Sequence, residues 1–242
     1  MSAADGRSAG PRRHALVVLA HHRADSLTAG LARRARERLT ADGFTVDLLD
    51  LHAEGFDPRM GTPDEPDWGD PGKEYSAEVR AHMARVAAAD LIVVVFPLWW
   101  FGLPALLKGW IDRVWNHGFA YGGRDGGLRG RRMVWLPLTA YAQEEFRARG
   151  WDRTVEHVLR TGISGYCGIE DAAVHFVHDS LGTGARALSV VDRALARRDG
   201  PAADGPAAEA GGRPAGAGGG GQRRSAAVQR AGRAGRAAAA GP

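Results

Sequence analysis

Three aromatic residues stand side by side at Trp99, Trp100 and Phe101, within a segment that runs FPLWWFGLPALLKGWIDRVWNHGFAYG from Phe96 to Gly122. Pro97, Gly102 and Pro104 frame them, directly after the apolar run Val93-Val94-Val95. Pro97 ends a strand, and Pro104 suits the first turn of a helix. Gly102 lets the backbone approach a ligand closely. Large ring faces are thereby placed where a strand gives way to a helix, the position at which open α/β sheets bind ligands. Core or interface packing is the alternative for any one ring. Three in a row on a connection cannot all enter one core, so at least one faces a ligand or a partner. Ring faces on tight backbone suit a flat heteroaromatic ligand better than a sugar, a metal or a peptide.

A second candidate is the turn Ala20-His21-His22-Arg23-Ala24-Asp25-Ser26-Leu27-Thr28. It contains neither GxGxxG nor GxxxxGK[ST], so the dinucleotide fingerprint and the P-loop are absent. A strand feeding a helix still leaves free N–H groups and a positive dipole end there. Ser26 and Thr28 add hydroxyls, and His21 and Arg23 add further donors, so a phosphate group would be well served. The plainer reading makes Ser26 an N-cap and leaves the histidines to solvent.

Other reactive residue types carry less. His175 and His178 lie three apart on an expected strand and so face opposite sides, a poor metal pair. Cys167 precedes a glycine without a matched base and reads as a buried structural thiol. No Ser/His/Asp arrangement and no zinc-ligand spacing stands out.

These residues need elements to hold them. The run from His14 to Ala20 is nearly continuously apolar, as in a strand buried on both faces. A helix follows from Ser26 to about Ala41, with Leu27, Leu31 and Leu39 on one stripe and Gly43 as its stop. Val46–Leu51 is a second strand, and 52–74 a long loop rich in Pro, Gly and Asp. A helix over 76–88 leads to the third strand, Leu91–Phe96. The helix after Pro104 places Leu107, Trp110, Ile111 and Val114 on one side. Strands are expected at Met133–Leu138 and Ala172–Val177, with a helical segment over 151–163 between them and a last helix over 184–197. Alternation of this kind predicts a doubly wound parallel sheet with helices on both faces.

Composition sets the limits. The chain has 242 residues, 44% hydrophobic and 25% charged, enough for one domain with a sizeable core. Of the net charge of +4, residues 199–242 account for +3, so the domain expected over 14–198 is nearly neutral. A flexible leader is expected over 1–13. From Asp199 the chain is mainly Gly, Ala, Pro and Arg, with Val228 its only larger aliphatic residue, a composition that cannot offset its ordering entropy and predicts a disordered tail. Its six dispersed arginines leave too thin an electrostatic footprint to argue for nucleic acid. A single cysteine rules out an internal disulfide and agrees with a cytoplasmic setting. The apolar stretch Leu91–Trp110 has the length of a bilayer span, but Pro97, Gly102 and Pro104 break it, and no membrane span is expected.

The stretch from Phe96 to Trp110, with Arg113-Val114 and Gly118-Phe119-Ala120-Tyr121 behind it, resembles the flavodoxin-like NAD(P)H:quinone oxidoreductases, the DT-diaphorases and their bacterial relatives. The first turn from Ala20 to Ser26 and the later Gly165-Tyr166-Cys167-Gly168 agree in order and spacing. The resemblance covers about residues 14–182. It implies a flavodoxin-like sheet of five strands in the order 2-1-3-4-5. It also implies a flavin, FAD with FMN as the alternative, whose phosphates meet His21, Ser26 and Thr28. The isoalloxazine would lie against Pro97, Leu98, Trp99, Trp100, Phe101 and Gly102, with backbone N–H groups of 99–102 toward its N1/O2/N5 edge. Trp100 and Phe101 would line the nicotinamide and quinone site, and Phe119 and Tyr121 would close the site of the second subunit of a homodimer. Trp100, Phe101 and Tyr121 are accordingly the expected catalytic-site residues. Where the family has a Thr-Thr-Gly-Gly loop, this chain has Thr139-Ala140-Tyr141-Ala142, and only Thr139 matches. No counterpart of the family's Tyr and His relay stands between Gln143 and Arg153. The implied activity is a ping-pong transfer of hydride from NAD(P)H through the flavin to quinones or similar acceptors. A flavin-binding regulatory or electron-carrier subunit, or an α/β interaction domain without flavin, are the alternatives.

Overall fold

The computed structural model describes residues 13–70, 72–122, 127–182 and 185–196. It divides the chain into two units, 1–197 and 198–242, and the described residues belong to the first. The expected tail, and the leader apart from Arg13, lie outside the described residues.

Five strands, β1 (His14–Leu19), β2 (Thr45–Asp50), β3 (Leu91–Pro97), β4 (Arg132–Leu138) and β5 (Asp171–Val174), form one sheet in the order β2-β1-β3-β4-β5. Every pairing is parallel. The helices are α1 (Leu27–Ala41), α2 (Ala77–Ala88), α3 (Ala105–Val114), α4 (Gln143–Ala148), α5 (Trp151–His157) and α6 (Ala185–Leu195). Because side chains alternate along a strand, each central strand feeds two cores. Val17, Val93, Val95 and Leu136 pack against α1 and α6 through Leu31, Ala35 and Val191. Val18, Ile92, Val94 and Trp135 pack on the other side against α2, α3 and α5 through Val79, Trp110 and Val155. The continuous apolar run of β3 follows from burial on both faces. The strand-turn-helix reading of 91–110 holds, and no described helix is long and apolar enough to cross a membrane.

Two elements differ from expectation. Regular β5 ends at Val174, three residues early, because Pro137 in β4 has no N–H to give the next rung. Pairing with β4 resumes beyond the gap, where Val177 N–H donates to Pro137 O at 2.9 Å and Thr139 N–H to Val177 O at 2.8 Å. His175 and His178 therefore lie past the strand rather than on it. The expected helix over 151–163 is α5 continued by a π-helical segment, Val158–Ser164. Ser164 stabilises the wide turn, donating its hydroxyl to Leu159 O at 2.8 Å while accepting from Trp135 Nε1 at 3.0 Å. The short helix α4, within a stretch that carried no helical expectation, is separated from α5 by Gly150 at φ +73°.

Candidate functional site

The carboxyl ends of β1, β3 and β4 lie side by side, since Leu19 pairs with Val95 and Pro97 with Leu138. After β3 the chain makes a tight turn in which Gly102 N–H donates to Trp99 O at 3.0 Å. Its central residues, Trp100 and Phe101, have φ of +51° and +57°. Positive φ at both centres marks a type I′ turn, which normally takes Asn or Gly. For two bulky residues the conformation costs of order 1–3 kcal/mol each. The Trp100 side chain, 98% exposed, does not recover this by burial, while Trp99 is 48% and Phe101 40% exposed. Leu98 N–H donates to Leu138 O at 2.7 Å and Trp99 N–H to Pro97 O at 3.1 Å. Among the described residues, the Trp100 and Phe101 amides meet no acceptor.

Beside this turn the β1–α1 connection gathers His21, Ser26 and Thr28. Ser26 caps α1, its hydroxyl oxygen accepting from Ala29 N–H at 3.1 Å, so the plainer reading of that residue holds. The hydroxyl proton stays available, and the amides of Leu27 and Thr28 are the first-turn donors that a helix leaves unmatched. The Thr28 side chain is buried in the first turn. The His21 ring stacks on His22 at 4.6 Å, and the two lie 6.3 Å and 6.1 Å from the Trp99 ring. Arg23 N–H donates to His21 Nδ1 at 3.0 Å, which places the proton of neutral His21 on Nε2. Burial, then the neighbouring His22, lower the His21 pKa and favour that neutral form. The Arg23 guanidinium is taken by Asp25 at 3.0 Å and 2.9 Å.

The model of the flavodoxin-like fold family matches residues 13–198. The uncharacterized NAD(P)H oxidoreductase YcaK of Escherichia coli (strain K12) is 44% identical over 166 residues, covering 68% of this chain and 83% of that protein. The chain belongs to the flavodoxin-like NAD(P)H:quinone oxidoreductase family. The ribosyldihydronicotinamide dehydrogenase (quinone) of Mus musculus is 33% identical over 168 residues, covering 62% of this chain and 68% of that protein. The solved NAD(P)H:quinone oxidoreductase from Methanothermobacter marburgensis shares the fold with a TM-score of 0.68 at 23% identity, covering 76% and 94% of the two chains.

The wall after β4 is built from Thr139 and aromatic residues rather than from the glycines that the resemblance implied. Thr139 is buried, its hydroxyl oxygen accepting from Tyr141 N–H at 3.3 Å. The Tyr141 ring then stands against Phe101 at 6.3 Å, and Trp151 touches both at 4.9 Å and 4.4 Å. Sequence reasoning passed over Tyr141 and Trp151 as contributors. The only signal was the aromatic residue itself where glycine was expected, followed by a tryptophan at the start of a helix. Tyr121 belongs to a different ring cluster. Its ring neighbours are Trp68, His117 and Tyr166 at 5.7, 5.8 and 5.3 Å, none of them a member of the Phe101 group. Burial pushes its hydroxyl up to about 12. Cys167 is buried, and its thiol is pushed up to about 11 by desolvation, which removes it as a nucleophile. Among the described residues no cluster of His, Cys, Asp or Glu could hold a metal.

Proposed function

We propose that the chain is a flavin-dependent NAD(P)H oxidoreductase that moves two electrons, as hydride, from NAD(P)H to quinones or similar flat acceptors. The observation that carries this reading is Trp100, 98% exposed on left-handed backbone at the carboxyl end of β3. An exposed ring in a costly conformation adds nothing to the fold, so a ligand supplies its reason. The donor set fits a flavin nucleotide. The Leu27 and Thr28 amides, the Ser26 hydroxyl and the His21 Nε2–H suit its phosphates. The Trp100 and Phe101 amides are the two donors of the 99–102 turn left over for the polar edge of a ring. A bound flavin supplies a ring that takes up and gives back hydride. Everything else falls to the chain: the turn orients the reactants, its amides stabilise negative charge at the ring edge, and the aromatic side chains exclude water. No protein nucleophile is needed.

FAD, the form implied by the resemblance at the first turn, is the proposed nucleotide. The protein is proposed to act as a homodimer, as the resemblance implies, with Phe119 and Tyr121 of one copy closing the site of the other. Purified full-length protein should be yellow, should bleach anaerobically with NADH or NADPH, and should regain colour with a quinone. A colourless protein that neither FAD nor FMN reconstitutes overturns the reading. A yellow protein that NAD(P)H leaves unbleached is a carrier or regulatory subunit instead. Chromatography of heat-released flavin distinguishes FAD from FMN, and light scattering reads the dimer.

A further inference from the structure

We infer that Tyr141 and Trp151 extend the acceptor site, joining Phe101 in one aromatic surface that selects acceptors by the size of their planar face. The inference rests on the reductase reading above and concerns what that site discriminates.

Phe101 and Tyr141 come from different connections, after β3 and after β4, yet their rings lie within 25° of parallel. Both are exposed, so a ligand can reach them. Trp151, at the first position of α5, is the corner where they meet, tilted 40° to Phe101 and 60° to Tyr141. The corner is held from behind. Buried Phe146 packs edge-on against Trp151 at 5.7 Å, and the Arg149 guanidinium lies over the Trp151 ring at 4.9 Å. A ring fixed in this way offers its face without a large ordering cost, the property that makes aromatic side chains effective contact surfaces. With glycine at position 141, a ligand lying on Phe101 would meet open backbone beyond that ring. With tyrosine there, a second fused ring finds aromatic carbon. A single-ring acceptor covers Phe101 alone and gains nothing from the extension.

The test compares kcat/KM for 1,4-benzoquinone and for 2-methyl-1,4-naphthoquinone, using flavin-loaded protein at saturating NADH or NADPH. In Tyr141→Ala the ratio of naphthoquinone to benzoquinone should fall about tenfold, equivalent to about 1.4 kcal/mol of lost contact. Tyr141→Phe, which keeps the ring, should retain the wild-type ratio, and Trp151→Leu should lower it as Tyr141→Ala does. An unchanged ratio in Tyr141→Ala, or an equal loss for both quinones, overturns the inference, as does a loss of ratio in Tyr141→Phe. The two readings separate on the wild type. If NAD(P)H does not bleach it, the reductase reading fails and takes this one with it. If it bleaches and the ratio does not move, this inference alone is wrong.

Discussion

The buried Arg113 guanidinium donates to the buried Asp64 carboxylate from Nε at 3.2 Å and from Nη2 at 2.7 Å. This pair fastens the long loop between β2 and α2 to helix α3, the helix that leaves the aromatic turn. Asp64 also accepts from Ser76 N–H at 2.8 Å, and Arg113 meets Glu78 at 2.8 Å. Deleting Arg113 leaves the Asp64 carboxylate desolvated and without a cation, a loss of about 3–5 kcal/mol in comparable buried pairs. Arg113→Met should therefore lower the urea midpoint sharply, and Asp64→Leu by less, because Glu78 still meets Arg113. The double variant Asp64→Leu/Arg113→Met should recover much of the Arg113→Met loss, because it leaves no orphan charge in the pair. Equal losses in Arg113→Met and the double variant would show that the loop is anchored by something else.

A pH dependence follows from His82, whose Nδ1 accepts from Trp110 Nε1–H at 3.3 Å within the core behind α3. Burial, and next Arg85, lower its pKa, with Glu54 and Glu78 opposing. The unfolded chain thus takes up the proton first, near the ordinary value of about 6.5. The contribution of His82 to stability is complete above that pH and declines as pH falls toward the lower folded value. A protonated Nδ1 can no longer accept from the indole. His82→Gln keeps an acceptor that does not titrate in this range. Thermal midpoints taken between pH 7.5 and 5 should fall more steeply in the wild type than in His82→Gln. Parallel slopes would contradict the assignment.

Gly109 sits inside α3, where alanine would ordinarily stabilise a helix by about 1 kcal/mol. Here a methyl group would lie 2.5 Å from Pro58 Cβ and 2.6 Å from Pro58 Cα, and closer still to the Pro58 carbonyl oxygen. The long loop is packed too tightly on the helix to yield cheaply, and overpacking costs about 1–3 kcal/mol. Gly109→Ala should therefore destabilise, reversing the propensity expectation. A raised midpoint in chemical denaturation would mean that the loop gives way freely.

Elements with a strong period were legible in the sequence. The apolar runs of β1 and β3, the Ser26 cap and the break at Pro97 all announce themselves locally, and together they fix where the 99–102 turn must stand. What could not be read depends on residues far apart in sequence. The Asp64–Arg113 pair spans 49 positions, and Asp64 looked like one acid among many in a polar loop. The early end of β5 depends on Pro137 in the neighbouring strand, and the π-helical turn on Ser164 finding Trp135. At the site the front wall was visible because its three aromatic residues are consecutive. The Phe101–Tyr141–Trp151 group was not, because its members are brought together only by the sheet order and by the turn at Gly150.

Trp100 separates the demands of folding from those of function. Its side chain is 98% exposed, so removing the ring sacrifices almost no packing, while its φ of +51° is costly for tryptophan and natural for glycine. Trp100→Gly should stabilise the flavin-free protein by about 1 kcal/mol, raising its thermal midpoint by about 2–4 °C for a domain of this size. If the ring lines the nicotinamide and acceptor site as proposed, the same variant should lose acceptor kcat/KM by tenfold or more, with flavin retention much less affected. Calorimetry of the flavin-free protein, together with steady-state kinetics of the loaded enzyme, reads both arms. A variant that is less stable would show that Trp100 packs on its own fold. One that is more stable but fully active would move the acceptor site away from the turn.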